Sequence, residues 1–153
     1  MKKKIFLVLV LMSSLLLLTG CSKKTITIEE FTSSVDTDKY TVGEYESGQI
    51  DTIIEGLERG AYITNGAFNI NFYVLSNPAQ AIDLFGLYKE EFDAQDADET
   101  KKYTMKADNY EIYELTTDTM YNYICRVKNT LVYVSANVED KDEVKTIIKN
   151  IGY

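Results

Sequence analysis

The chain predicts an α+β fold, an antiparallel sheet with helices packed mainly on one face in two layers. Three observations carry that prediction. Asn65-Gly66 lies between two apolar runs, and these residues accept the positive φ that a two-residue hairpin turn demands. Tyr103 to Val138 alternates apolar and polar residues, with breaks near Asp108-Asn109, Thr116 to Thr119 and Lys128-Asn129, as a strand meander does. Val144, Ile147, Ile148 and Ile151 then recur at helical spacing behind Asp140 and Glu143, with Lys149 near the end and Gly152 beyond it.

Taken in order, Thr27 followed by Glu30 has the capping-box spacing that opens a helix, and Ile28, Phe31 and Val35 share one face of it. Asp36 to Ser47 reads as acidic and irregular. Ile50, Ile53, Ile54 and Leu57 predict a second short helix capped at Gly60. A two-residue turn at Asn65-Gly66 sets Ile63 opposite Phe68 and Ala61 opposite Ile70, with Asn69 and Asn71 on the other face. Asn77-Pro78 opens a helix whose buried stripe is Ile82, Phe85, Tyr88 and Phe92. Asp93 to Lys102 is a charged, turn-rich break. A two-residue turn at Lys128-Asn129 pairs Cys125 with Val132 and Tyr123 with Val134, while Ile124 and Tyr133 meet on the opposite face. Such a hairpin is central and covered on both sides.

The first twenty residues share nothing with this body. Lys2, Lys3 and Lys4 precede a run from Ile5 to Leu18 that is apolar except for Ser13 and Ser14. Its length suits a signal-peptide core and falls short of the roughly 18 to 20 residues of a spanning helix. The lysines hold the amino end at the cytoplasmic face, so the chain beyond the apolar run is carried across the membrane. Leu18-Thr19-Gly20-Cys21 resembles the lipobox of bacterial prolipoproteins. The resemblance implies that the Cys21 thiol receives a diacylglyceryl group and that a peptidase recognising Leu18, Thr19 and Gly20 cuts before it. An ordinary secretory signal with a chance cysteine would need an Ala-x-Ala cleavage site, which this stretch lacks.

The organisation expected is a leader over 1–20, removed; a lipidated tether over 21–26; and a single α+β domain over 27–153. Two acyl chains give stable anchoring where one gives only marginal binding, which places the domain on the extracytoplasmic face of the cell membrane. The body is also similar to small lipoproteins of unknown function from low-GC Gram-positive bacteria, through Phe72-Tyr73-Val74-Leu75 and Ile151-Gly152-Tyr153. That resemblance brings packing motifs and no catalytic residues.

Composition narrows the function. Loss of the leader lysines leaves 13 basic against 24 acidic side chains, a formal balance of −11. That argues against a nucleic-acid partner and against adhesion to anionic headgroups. With no His, the chain builds neither a Ser-His-Asp nor a Cys-His site nor a His-ligated metal centre. Asp93, Asp96, Asp98 and Glu99 offer oxygens to calcium but lack the sharp-turn Gly and terminal Glu of an EF-hand, so a solvated loop is the better reading. No catalytic residue, metal or cofactor is expected beyond the lipid on Cys21, and an acid-pair hydrolase is the only enzymatic alternative. Cys125, in an alternating run, reads as a small buried hydrophobe.

Twelve tyrosines and no tryptophan direct attention to Tyr62 and Tyr73, which project with Asn69 and Asn71 from one face of the first hairpin. Either these four form an exposed polar-aromatic binding surface, or a helix covers them and the tyrosines are core edge. The function expected is a non-catalytic surface lipoprotein that binds a protein or envelope partner. The alternative is a lipoprotein that binds a small solute in a single concave pocket.

Overall fold

The computed structural model describes residues 22–45, 54–95, 97 and 100–153. The leader, Cys21, Ile50, Ile53, Asp96, Asp98 and Glu99 lie outside the described residues. The elements are α1 (Ile28–Thr32), β1 (Thr41–Glu44), β2 (Leu57–Thr64), β3 (Asn69–Leu75), α2 (Pro78–Asp93), β4 (Lys101–Lys106), β5 (Tyr110–Thr116), β6 (Met120–Val127), β7 (Thr130–Asn137), a 3-10 turn (Val138–Asp140) and α3 (Lys141–Ile151). The strands form one antiparallel sheet in the order β1-β2-β3-β7-β6-β5-β4.

The α+β class and the antiparallel sheet are as expected, and of the three helices among the described residues two, α1 and α3, share a face. Ile28 and Phe31 from α1 and Val144, Ile147, Ile148 and Ile151 from α3 pack there on Ile63, Ile70, Phe72, Val132 and Val134. The second face carries α2, whose Ala81, Leu84, Phe85 and Phe92 meet Tyr73, Leu115, Ile124 and Leu131. The result is three layers rather than two. The cause lies in β6, where every residue from Tyr121 to Val127 is buried, so both faces of the strand need cover.

Helix ends follow their local chemistry. Thr27 Oγ1 accepts from Glu30 N at 3.1 Å while Thr27 N donates to Glu30 Oε2 at 2.9 Å, completing the capping box. Asn77 Oδ1 accepts from Gln80 N at 3.1 Å ahead of Pro78 at the first turn of α2. Gly152, at φ 85°, closes α3 in the left-handed conformation. Ile82, expected in the α2 stripe, is 50% exposed. The buried stripe runs through Ala81, Leu84, Phe85 and Phe92, with Tyr88 partly buried, and Ile82 sits about 100° around the helix from Ala81.

Two further expectations are corrected. The segment read as irregular contains β1, whose Gly43 lies under the Tyr62 ring; a Cβ there would come within 2.6 Å of that ring. Leu57 begins β2 instead of ending a helix, and Gly60 lies within the strand. Leu57 pairs with Leu75, after a turn at Gly56 (φ 75°) whose carbonyl accepts from Ser76 N at 2.9 Å. The end of β3 thus recruits the segment that helical spacing had claimed.

The hairpins divide. At Lys128-Asn129 the pairing is as expected, Cys125 with Val132 and Tyr123 with Val134. At Asn65-Gly66 the loop has four residues, since Thr64 pairs with Asn69, Ile63 with Ile70 and Ala61 with Phe72. Asn65 Oδ1 accepts from Ala67 N at 2.9 Å and Thr64 Oγ1 donates to Phe68 O, which holds the wider loop. Because side chains alternate with period two, this two-residue shift leaves each on its expected face.

Candidate functional site

On the α1/α3 face the helices stop short of the sheet edge. All six residues of β4 are exposed, and Tyr103 (47%) and Met105 (41%) leave large apolar side chains in solvent. Between β4 and α3 runs a groove of about 420 Å³. Its floor is Tyr103, Ile112, Glu114, Tyr121 and Tyr123; Lys145, Ile148 and Lys149 form its wall, with Tyr153 at one end. Lys145 Nζ reaches Glu114 Oε2 at 3.0 Å across it.

Tyr121 is the central feature of this groove. It is fully buried, and burial, with the Glu114 carboxylate beside its hydroxyl, raises its pKa above the usual phenol range. Lys141 and Lys145 ammoniums stand 5.4 and 5.6 Å from its ring centroid, so α3 lays positive charge over the ring's negative face.

The outer edge of β4 adds backbone chemistry. Ala107 N donates to Tyr110 O at 2.9 Å, so the pairs of Met105 with Ile112 and Tyr103 with Glu114 are the hydrogen-bonded ones. The alternate residues Lys102, Thr104 and Lys106 therefore turn their N–H and C=O groups outward. Lys102 and Lys106 are tied to Asp93 and Glu111 by ion pairs of 2.5 and 3.2 Å.

The four residues expected to form a surface separate in the structure. Asn69 is exposed, and Tyr62 and Asn71 are partly buried. Tyr73 is buried within the α2 cluster, and that burial, with the Tyr88 hydroxyl beside it, raises its pKa strongly. Tyr73 is core, which corrects its assignment to an exposed patch. Tyr62 lies not under a helix but against Tyr45, 5.3 Å between centroids, and the Tyr45 hydroxyl donates to Asn71 Oδ1. The β4 groove escaped sequence reasoning, although three lysines flanking Tyr103 and Met105 in one short strand were its signal.

Chemically, the described lining of the groove is aromatic and aliphatic with lysines along one wall. Glu114 is the one carboxylate among the described residues lining it, and Lys145 holds it. Asp93, part of the acidic run, is engaged by Lys102, Lys89 and Tyr113, and these hold its carboxyl well below the usual carboxylate range. Cys125 is fully buried, and burial pushes its thiol up to about 11, away from thiolate chemistry. A hollow of about 260 Å³ beside α2 carries Glu55 and Asp83, both exposed. Among the described residues no group of His, Cys, Asp or Glu is placed to hold a metal, and no helix is long and apolar enough to cross a membrane.

No protein-family model matches the chain, and no curated protein matches it. Among solved structures the chain is similar to a GTP-binding regulator from Thermotoga maritima, with 14% identity over 83% of this chain and 85% of that one and a TM-score of 0.48. That likeness concerns the course of the backbone, and no residue role passes across it.

Proposed function

We propose that this chain is a membrane-anchored extracytoplasmic lipoprotein without catalytic function, whose folded body binds a protein or cell-envelope partner. The observation that carries the reading is the order of Lys2 to Lys4, the apolar run to Leu18, and Leu18-Thr19-Gly20-Cys21. A diacylglyceryl group on Cys21 keeps the protein at the outer membrane surface, where a binding groove and an open strand edge serve better than a catalytic cleft. Cys21→Ala abolishes fatty-acid labelling in growing cells and leaves the leader uncut or the protein released. Unchanged labelling of that variant overturns the anchor.

The partner site in this reading is β4 and its groove. Outward N–H and C=O groups accept an added strand, with the Tyr103 and Met105 side chains and the groove beside it. Three lysines in the six residues of β4 repel a second copy of that edge and favour a segment bearing acidic side chains. Thr104→Pro removes an outward donor and abolishes the partner cross-link in intact cells, whereas Thr104→Ala retains it. Equal cross-linking of the two moves the partner elsewhere. The groove volume also favours a second reading, a small solute bound over Tyr121. A compound that raises the melting temperature of the wild type but not of Tyr121→Phe supports that reading.

A further inference from the structure

Lys23 is pinned at one corner of the sheet. Its carbonyl accepts from Asn109 Nδ2 at 2.7 Å, its ammonium donates to the Gly152 carbonyl at 3.2 Å, and the same ammonium lies 5.8 Å from the Tyr110 ring centroid. Asn109 O in turn accepts from Lys128 N at 2.8 Å. The β4–β5 turn, the β6–β7 turn and the end of α3 therefore meet where the described chain begins. Cys21 precedes Lys23 by two residues, and two residues of chain reach about 7 Å at most. A lipid on that sulfur holds this corner, and no other part of the fold, next to the bilayer.

Charge is distributed to match. Lys24, Lys106 and Lys128 are exposed at this corner and Lys23 is partly so, with Lys149 in the last turn of α3 beside them. Lys24 and Lys106 pair with Glu30 and Glu111, each at 3.2 Å, so the excess at the corner is Lys23, Lys128 and Lys149 against Asp108. Glu55 and Glu58 flank the same end of the sheet at β2, four strands or about 19 Å from β5. The opposite end gathers Asp36, Asp38, Asp118, Asp140, Asp142 and Glu143, against Lys39, Lys101 and Lys141. Screening over about 10 Å lets the near corner, not the sum over the molecule, set the interaction with a charged surface.

We propose that the corner formed by the β4–β5 and β6–β7 turns is a membrane-facing surface that rests on anionic headgroups, with the acidic end of the domain directed away. The orientation rests on the anchoring reading of Cys21. It revises the expectation from net charge, since the basic residues stand where the lipid attaches. It also leaves the acidic end and the α3 side of the groove open to the extracytoplasmic space.

The test uses the full lipoprotein extracted from cell membranes and reconstituted in vesicles of phosphatidylcholine with or without phosphatidylglycerol. Cys125 is buried and stays unlabelled, so Lys128→Cys and Asp118→Cys each accept one fluorophore, and headgroup nitroxide lipids quench whichever approaches the surface. Quenching at position 128 several-fold stronger than at 118, and stronger with phosphatidylglycerol present, is the expected result. Equal quenching at the two positions, or stronger quenching at 118, in protein whose mass shows a diacylated Cys21 overturns the orientation alone. No gain from phosphatidylglycerol overturns the headgroup contact. A mass showing a bare Cys21 overturns the anchor, and the orientation falls with it.

Discussion

On one face of the sheet α1 and α3 together cover Ile63, Ile70, Phe72 and Val132; on the other, α2 works alone over Tyr73, Tyr113, Ile124 and Leu131. The first face is sealed beneath its two helices at Phe72, whose ring stacks on Phe31 at 5.0 Å and meets Tyr153 edge-on at 5.9 Å, and opens at the β4 groove over Tyr121 and Tyr123. On the second, α2 covers Tyr73 and Tyr113, with Tyr45, Tyr88 and Tyr133 only partly buried around them. A helix about 10 Å across covers about two strands spaced 4.8 Å apart, so α2 leaves β2 and β1 beyond its reach. There Tyr45 and Tyr62 stand ring against ring, 5.3 Å between centroids, both partly buried with hydroxyl ends that tolerate water, and Tyr45 stacks inward on the buried Tyr73. The difference teaches that cover by a helix, and not tyrosine-rich composition, decides whether a tyrosine is core or margin: Tyr73 and Tyr121 are buried, Tyr62 is not.

The largest effect that sharpens this contrast is on the closed face. Phe72→Ala removes a fully buried ring from two aromatic contacts and lowers unfolding stability by about 3 to 5 kcal/mol, read from denaturant titration. A loss below about 1 kcal/mol would show that the contact of α1 and α3 over Phe72 is not sealed. Next comes Asp93, which ties the end of α2 to β4 and β5. Asp93→Asn lowers stability by about 1 to 2 kcal/mol at neutral pH. Its folded pKa lies below the unfolded value near 4, so its contribution is present above about pH 4 and is lost as pH falls through the folded pKa. Stability curves of wild type and Asp93→Asn therefore converge in acid; parallel curves would refute the linkage. The smallest effect belongs to the open margin, where Tyr62→Ala changes stability by less than about 1 kcal/mol. A Tyr62 loss equal to that at Phe72 would erase the distinction between the faces.

Legibility in the sequence tracked how local the deciding interaction was. Thr27 with Glu30, Asn77-Pro78 and Gly152 act within a turn of chain, and each ends its helix where spacing places it. The Lys128-Asn129 hairpin was readable for the same reason, with Lys128 itself taking the left-handed φ of 52°. Asn65-Gly66 marked the right turn, yet the side-chain bonds of Asn65 and Thr64 widened it by two residues. Leu57 was lost to helical spacing because its strand pairing with Leu75 is a contact made across the hairpin. Of the expected patch, Tyr73 alone was misplaced outright, for the helix that buries it starts only at Pro78.

By itself, the amino-acid sequence determined the elements whose caps and turns are local, the alternation that assigns side chains to faces, the absence of histidine chemistry and the Leu18-Thr19-Gly20-Cys21 order on which the anchoring proposal rests. Tertiary structure decided what no local signal encodes: that α2 crosses to the face opposite α3, that β4 is left as an open edge beside a groove, and that Lys23 docks at the Asn109 corner. Those outcomes depend on which surfaces remain uncovered after the central strands are packed on both sides, and a spacing rule within one segment carries no information about that remainder.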